Sequence, residues 1–252
     1  MDYDSEKARG VELGAKGEFL DRRLRLSSAL FAYRFKDLQV NTFDPARVQF
    51  TIDNAGAVRQ RGFEVEAKFE ASEILSFHAA VAYTHNRFRN FIGQCHGFLF
   101  PTGSVRATAV PPKNCSFVNA TALTLQQDFG GRAPARSPDR AGNGGFVFDI
   151  PVGAMKLGLT GDAFYSSSYF AAETMAPSTR QDDFWRFNAS VSLAEVDDRW
   201  RVALVGRNLS NKYYLIYAAD RTGGTSVPGS IGEQRGVVAR GREIALQAGF
   251  KF

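Results

Sequence analysis

The chain of 252 residues is 44% hydrophobic and 23% charged, and it contains no apolar run near the roughly 18 residues of a membrane-spanning helix, which excludes a helical membrane protein. Its formal net charge of +5 is spread along the chain rather than gathered in a basic run, so no nucleic-acid partner is predicted. The 22 Phe, 8 Tyr and 24 Gly residues favour an all-β protein, because aromatic side chains suit a pleated sheet.

The first two predicted strands are joined by a tight turn at residues 21–23. Residues 10–20 alternate between apolar and charged side chains, a period of two that is typical of a strand with one apolar face. Residues 24–40 form a longer strand of unclear phase, because its leucines share one parity and its aromatic residues share the other. We therefore expect a β-bulge near Ser27 and Ser28.

The third predicted strand, residues 48–70, ends in strict alternation from Gly62 onward. This pattern fits a half-buried sheet of a soluble protein as well as a strand with lipid on its apolar side, so it does not choose between them. The apolar positions are Phe63, Val65, Ala67 and Phe69, and the charged positions are Glu64, Glu66, Lys68 and Glu70.

The remaining strands bring the total to about nine. They are predicted at residues 74–87, 136–150, 155–170, 183–195, 199–218 and in the final segment GREIALQAGFKF. Short connections alternate with long ones, the short ones at 21–23, 71–73, 151–154 and 196–199 and the long ones at 41–47, 88–135, 171–182 and 219–239.

Sorting of the connections by length is the pattern of an outer-membrane β-barrel, with short turns in the periplasm and long loops outside. Tyr83, Tyr165 and Tyr169 lie near predicted strand ends, where an aromatic girdle would lie, although ordinary aromatic residues of a soluble core give the same pattern. Nine strands do not close a bacterial barrel, which has an even number. No export signal opens the chain, and we therefore expect it to be the C-terminal part of something longer.

Four segments carry a resemblance to a known family. They are NAGAVRQRGFEVEAKFEAS at 54–72, YTHNRF at 83–88, GRNLSNKYY at 206–214 and the C-terminal GREIALQAGFKF. In their order and spacing they resemble the C-terminal barrel half of TonB-dependent outer-membrane receptors, over about residues 10–252. The family consists of barrels of about 22 strands around an N-terminal plug domain. These receptors import ferric siderophores, cobalamin or other scarce nutrients with energy transmitted by TonB.

The resemblance implies an antiparallel transmembrane β-barrel segment with short periplasmic turns and long extracellular loops. Residues 1–9 are expected to be an N-terminal extension or truncation junction, and residues 10–252 a partial barrel with the long extracellular loop 88–135. The plug and the TonB-contacting box have no counterpart in this sequence, so the resemblance implies a fragment that does not transport alone. A small self-contained outer-membrane barrel with a structural or adhesive role, or a soluble β-sandwich binding module, stays open.

Cys95 and Cys115 both lie in the predicted loop 88–135. A disulfide is the favoured interpretation, because neither cysteine has His or Cys partners at the spacing of a metal site, and two free thiols are the alternative. No metal and no cofactor are predicted. Basic residues in and around the same loop could attract an anionic ferric chelate or lipopolysaccharide phosphates, or could serve solubility alone, and we assign no ligand residue. They are Arg87, Arg89, Arg106, Lys113, Arg132, Arg136 and Arg140.

No catalytic site is predicted, and the protein is not expected to be an enzyme. The three histidines, His78, His85 and His96, lack ligand spacing, and no G-x-S-x-G motif occurs. Glu64 and Glu66 lie on the same face of a strand, as a pair of catalytic carboxylates would. Carboxylates that face the lumen of a barrel explain this arrangement without catalysis.

The expected partners follow from the membrane assignment and from the family. The resemblance implies that the C-terminal aromatic Phe252 is a signal for the outer-membrane assembly machinery. The other expected partners are outer-membrane lipid and lipopolysaccharide, an unidentified small-molecule ligand, and TonB only through the missing plug region.

Overall fold

A computed structural model describes residues 4–44, 49–54, 56–97, 104–121, 123, 125–197, 199–220 and 233–251. Over these ranges the chain is almost entirely β-structure, and its one helical segment there is a short 3₁₀ turn at Pro177–Thr179. No helix within the described part of the chain has the length and apolar character needed to cross a membrane.

The described residues form 18 strands. In chain order they are β1 (Lys7–Phe19), β2 (Leu24–Lys36), β3 (Gln39–Asp44), β4 (Gln49–Asn54), β5 (Val58–Glu70), β6 (Leu75–Phe88), β7 (Ile92–Gln94), β8 (Cys115–Phe117), β9 (Leu125–Asp128), β10 (Arg140–Val152), β11 (Met155–Ser166), β12 (Tyr169–Phe170), β13 (Arg180–Gln181), β14 (Phe184–Glu195), β15 (Trp200–Arg207), β16 (Leu215–Asp220), β17 (Gln234–Val238) and β18 (Glu243–Phe250).

Nine of these strands form one antiparallel sheet in the order β1-β2-β5-β6-β10-β11-β14-β15-β18. Each strand pairs with the previous main strand along the chain, so the sheet is a continuous up-and-down meander. The predicted all-β class and the count of nine are confirmed. Within the described residues β1 and β18 are the two edges, and they do not pair with each other.

The predicted bulge near Ser27 and Ser28 is wrong. Both residues pair in unbroken register with β1 on one side and with β5 on the other. The change of parity from leucine to aromatic residues has a different cause: the aromatic residues of β2 lie on the polar face, where Phe31 and Tyr33 cover the glycines of neighbouring strands. One strand therefore carries large apolar side chains on both faces.

The four long connections contain small sheets of their own. They are the pairs β3–β4, β12–β13 and β16–β17 and the three-stranded sheet β7-β9-β8. Four predicted strands, at 24–40, 48–70, 155–170 and 199–218, each run into one of these small sheets, since β3, β4, β12 and β16 leave the main sheet. The short connections after β1, β5, β10 and β14 lie together at the opposite end of the sheet, and the predicted sorting of connections is confirmed.

The two faces of the main sheet differ in character. On one face Leu13, on β1, and Leu246, on β18, are 72% and 74% exposed, and the leucines and valines of the other strands follow them. A soluble sheet would cover such a face with a second layer, whereas here no described residue packs on it in that way. The buried apolar side chains lie instead among the long connections, around Phe88, Phe129 and Met175.

Candidate functional site: the polar face and the loop layer

The polar face of the main sheet carries hydrogen bonds between neighbouring strands. The Tyr33 hydroxyl donates to the Glu12 carboxylate over 2.9 Å. His78 Nε2 lies 3.1 Å from Asp162 Oδ1, across the glycine-containing strand β10. The hydroxyl oxygens of Thr160 and Ser190 are 2.7 Å apart. A surface of this kind is wetted rather than buried, which suits the inner wall of a pore.

The segment NAGAVRQRGFEVEAKFEAS contributes strand β5 to this face. Glu64, Glu66 and Lys68 lie on the polar side, and Lys68 Nζ is 2.8 Å from Glu70 Oε1. A Cβ at Gly62 would lie 2.0 Å from the Tyr83 carbonyl oxygen and 2.8 Å from the Phe31 ring, so only glycine fits this position. The glycine of the motif therefore serves close packing of β2, β5 and β6.

A groove of about 690 Å³ lies on the polar face toward the short turns. Its walls carry both signs of charge, from Lys16, Glu18, Arg25 and Glu66. His78 also lines this groove, as the alternation of β6 predicts. The mixed charge indicates a hydrated surface rather than a pocket selective for one ion.

An aromatic cluster joins the loops to the sheet at the opposite end. The rings of Phe88 and Phe91 have centroids 5.0 Å apart, and those of Phe91 and Phe129 are 5.2 Å apart. Val58 and Met175 complete the buried part of this cluster. Strands β5 and β6 therefore end in a hydrophobic platform on which the long connections rest.

The long connection after β6 is covalently closed. Cys95 and Cys115 form a disulfide, with Cα atoms 5.8 Å apart. Buried His96 lies beside it, and the two sulfur atoms and a ring nitrogen of His96 all lie within 4.8 Å of one another. Spacing along the chain did not reveal this grouping, because Cys115 begins β8, whereas Cys95 and His96 follow β7. With the sulfurs bonded to each other, the group has no thiolate to offer a metal.

Several of the predicted basic residues are used for packing within the loops. Arg87 donates two hydrogen bonds to Asp139, and this guanidinium holds the pKa of the Asp139 carboxyl below its ordinary value. Arg132 stacks over Phe129 at 5.9 Å, and burial lowers its pKa. Arg106 lies 3.5 Å from the centroid of Phe117. These side chains are poor candidates for ligand binding, because each has a partner in the protein.

Contacts between different connections combine them into one layer. The Ala218 N–H donates to the Ala171 carbonyl over 3.0 Å, and the Gly97 N–H donates to Asp220 over 3.3 Å. Tyr169 belongs to this layer and not to the predicted girdle: its hydroxyl donates to the Leu215 carbonyl over 2.5 Å, and burial raises its pKa. Tyr83 and Tyr165 do face the apolar side, against Phe63 and Trp185.

Asn208, in the segment GRNLSNKYY, organises the turn after β15. Its side chain donates to the carbonyls of Lys212 and Arg240 and accepts from the Lys212 N–H, each over 2.9 Å. Asn211 accepts from the Arg242 N–H over 2.9 Å. The two asparagines therefore connect this turn to the beginning of the last segment, GREIALQAGFKF.

A family model described as TonB dependent receptor-like, beta-barrel matches residues 1–209. Over 81 residues the chain is 35% identical to the metal-pseudopaline receptor CntO of Pseudomonas aeruginosa, a stretch that covers 32% of this chain and 11% of that protein. The chain therefore spans a small part of the curated relative that it matches.

Solved structures match nearly the whole fold. The ferric yersiniabactin uptake receptor FyuA of Yersinia pestis is similar with a TM-score of 0.66 and 18% identity, over 98% of this chain and 30% of that one. The siderophore receptor PiuA of Acinetobacter baumannii gives 0.63 and 19%, over 97% and 28%. At this level of identity the likeness shows the fold alone, and the chain spans less than a third of either structure.

Proposed function

The chain belongs to the TonB-dependent receptor β-barrel family, and we propose that it forms part of the wall of a receptor that takes up a chelated metal such as a ferric siderophore. Proteins of this family reside in the outer membrane, and so does this chain. The observation that carries the proposal is the nine-stranded meander, with an uncovered apolar face, a hydrated polar face and all long connections at one end. A catalytic role has no support from the family, whose members are transport receptors.

The substrate class is supported by the proteins that the chain resembles. Two solved neighbours are receptors for siderophores, and the curated relative is a receptor for a metal bound to pseudopaline. The loop layer of this chain is the part that an approaching chelate would meet first. It is held by the aromatic cluster and by the Cys95–Cys115 disulfide, so it offers a preformed surface rather than separate loops.

The open sheet supports a role within a larger barrel. Within the described residues, the edges β1 and β18 have no strand partner on one side, and backbone N–H and C=O groups without partners are unfavourable in lipid. We therefore infer that residues 10–252 work as a partial barrel with loop 88–135 outside the cell. In such a receptor, energy from TonB reaches the substrate through the plug region, and the nine-stranded sheet alone is not expected to transport.

Membrane assembly is the second part of the proposal. We infer that the C-terminal aromatic Phe252, which lies outside the described residues, is read by the outer-membrane assembly machinery. Replacement by Ala is expected to lower the amount of protein recovered from the outer membrane without changing synthesis. Equal recovery of both proteins would count against this role.

The uptake proposal is tested in the organism that encodes the chain. Deletion of the coding sequence, in its complete natural reading frame, is expected to abolish uptake of ⁵⁵Fe supplied as ferric yersiniabactin or as a ferric catecholate under iron limitation. Complementation with the same reading frame is expected to restore uptake. Unchanged uptake of every chelate offered, with the protein present in the outer membrane, would refute the proposal.

A further inference from the structure

Four arginines lie directly opposite one another on the apolar face of the sheet. The pairings place Arg9 opposite Arg34, Arg34 opposite Arg59, and Arg59 opposite Arg87. With strands about 4.8 Å apart, this arginine row spans about 14 Å across β1, β2, β5 and β6. Like charges at directly opposed positions are unfavourable in a sheet, so the row requires an explanation.

The row has one acidic partner among the described residues. Asp139 binds Arg87, whereas Arg9, Arg34 and Arg59 are exposed and form no ion pair within the described part of the chain. The two carboxylates three residues from Arg9 along the chain are engaged elsewhere: Glu12 accepts from the Tyr33 hydroxyl on the opposite face, and Glu6 accepts from the Gln39 N–H. Exposed Arg61, two residues from Arg59, adds a further charge and likewise forms no ion pair with a described residue.

The row lies at the border of the apolar band. Arg59 of the row is followed on the same face by Arg61 and then by Phe63, which contacts Tyr83, and from there the apolar face continues toward the short turns. The four residues from Arg59 to Phe63 correspond to about 13 Å along the strand, and the two from Arg61 to Phe63 to about 6.7 Å. The arginines are therefore at the depth of lipid headgroups, on the side of the membrane to which the long loops point.

An apolar groove begins at Phe63, two residues beyond Arg61 on β5. It has a volume of about 680 Å³ and lies over β10 and β11, where Gly142 and Gly144 of β10 and Ala163 of β11 leave room between two aromatic walls. One wall contains Phe63 and Tyr83, and the other is Tyr165 against Trp185, with ring centroids 4.9 Å apart. Arg140 also lines this groove and lies opposite Tyr83 in the pairing of β10 with β6. It therefore places a cation at the end of the groove that is nearer to the arginine row.

We propose that Arg9, Arg34 and Arg59 of the arginine row, together with Arg61 and Arg140, bind the phosphates of one phosphorylated glycolipid of the outer leaflet, lipid A of lipopolysaccharide, with one of its acyl chains in the groove. Guanidinium groups bind phosphate in a bidentate manner, and several arginines side by side suit a headgroup that carries more than one phosphate. The small residues of β10 suit an alkyl chain, because they remove side-chain bulk from an otherwise aromatic surface. The inference rests on the outer-membrane location and not on the identity of the transported chelate.

The test uses the full chain, refolded in a zwitterionic detergent, and Trp185 as the reporter. A Trp200→Phe background leaves Trp185 as the single tryptophan, since the sequence has two. Diphosphoryl lipid A, monophosphoryl lipid A, phosphatidylglycerol and inorganic phosphate are each titrated while Trp185 emission is recorded, and native mass spectrometry counts bound lipid. We expect one molecule of diphosphoryl lipid A to bind, with affinity that falls from the diphosphoryl to the monophosphoryl form and falls with added salt.

Two kinds of variant separate the headgroup from the acyl chain. The triple change R34Q/R59Q/R61Q is expected to weaken lipid A binding by about tenfold or more, through loss of charge-assisted bonds. The matched triple change R22Q/R25Q/R207Q removes the same charge from the first turn and the polar face, and it is expected to leave binding unchanged. Gly144→Leu is expected to weaken lipid A binding while the protein still folds, because a Cβ there meets its nearest atom at an ordinary 3.5 Å.

The proposal fails if R34Q/R59Q/R61Q binds lipid A as the unmodified chain does. It also fails if phosphatidylglycerol binds as tightly as diphosphoryl lipid A, which would indicate general attraction to acidic lipid, or if inorganic phosphate competes while the acyl chain contributes nothing. Should the triple variant not refold, Gly144→Leu and the lipid series on the unmodified chain decide the matter. Chelate uptake is measured separately, so failure of either proposal leaves the other intact.

Discussion

At the scale of single residues, polar side chains stabilise the turns and the loop layer where the backbone leaves the sheet. Asn208 adopts a φ of 48°, in the left-handed region that asparagine tolerates better than most residues, and its amide satisfies backbone groups of two segments. Asp139 likewise connects two segments, because it binds Arg87 of β6 immediately before β10 begins. Each of these residues joins segments that are distant along the chain.

Replacement of Asn208 by Ala is expected to lower the free energy of unfolding by about 1–3 kcal/mol, because three hydrogen bonds are lost and backbone groups of Lys212 and Arg240 remain without partners. Urea unfolding in detergent, followed by tryptophan fluorescence, measures the change. Asn114→Ala is the control, since Asn114 also has a positive φ, of 69°, but is exposed. Equal losses in both variants would assign the effect to backbone conformation rather than to hydrogen bonds.

The ion pair of Asp139 with Arg87 is expected to make local stability depend on pH. The pKa of Asp139 is held below the ordinary value by Arg87, so the folded state binds this proton more weakly than the unfolded chain does. The contribution of Asp139 to the free energy of unfolding is therefore fully present above its pKa in the unfolded chain, about 3.9. It is lost as the pH falls through the lower pKa of the folded state. Pepsin digestion between about pH 5 and 2 is expected to show increasing cleavage next to β10. Asp139→Asn is expected to be cleaved more at pH 5 and to show a smaller further increase on acidification; an unchanged pH profile in this variant would exclude Asp139 as the cause.

At the scale of elements, the long connections are organised as small sheets on an aromatic platform rather than as open loops. The three-stranded sheet β7-β9-β8 is closed by the Cys95–Cys115 disulfide, with a sequence separation of 20. Closure of a loop of this length lowers the entropy of the open state, which in the loop-closure model is worth about 3 kcal/mol. The main sheet does not depend on this bond, because its strands pair independently of the loop.

The double variant C95S/C115S is accordingly expected to open the loop and to leave the sheet intact. Limited trypsin digestion should cut at Arg106 and Lys113 at least about tenfold faster than in the oxidised protein, as the loop-closure estimate allows. The change in electrophoretic mobility on heating, which reports the folded sheet, should be retained. The oxidised protein treated with reductant alone serves as the control and should behave as the variant does. Loss of the heat-dependent mobility change would show that the disulfide also supports the sheet.

At the scale of the whole molecule, nine strands make a sheet whose outer strands, β1 and β18, each have one side that pairs with no described strand. Its apolar face has no covering layer among the described residues, and its polar face carries hydrogen-bonded and charged groups. Two solvents, lipid and water, therefore explain the two faces. The edges are the part of the architecture that needs further backbone partners.

The 252-residue chain, studied alone in detergent, is expected to protect its central strands from hydrogen exchange much better than its edges. Amides of β5, β6 and β10 should exchange slowly, whereas the amides of β1 and β18 that point away from their neighbours should exchange at least about a hundredfold faster, since they lack a ladder partner. Mass spectrometry of peptic fragments measures both sets. Equal protection at a concentration where the protein is monomeric would show that β1 and β18 pair with each other.

The sequence by itself determined the strands, their two faces and the sorting of the connections, because alternation of side chains follows directly from the geometry of a strand. Gly62 and the residues after it predicted β5 and its polar and apolar sides correctly, and the segment motifs indicated the family. The predicted bulge at Ser27 and Ser28 was wrong because it assumed that every apolar side chain of β2 lies on the apolar face. Phe31 and Tyr33 lie on the polar face instead, so the strand continues without a bulge.

The tertiary structure alone decided which distant residues meet. Arg9, Arg34, Arg59 and Arg87 form a row only because the register of three strand pairs aligns them, and no period within any one strand shows this. His96 comes next to Cys115 for the same reason, through the pairing of short strands inside one loop. Register is set by turns and by packing between strands, which are properties of the folded chain.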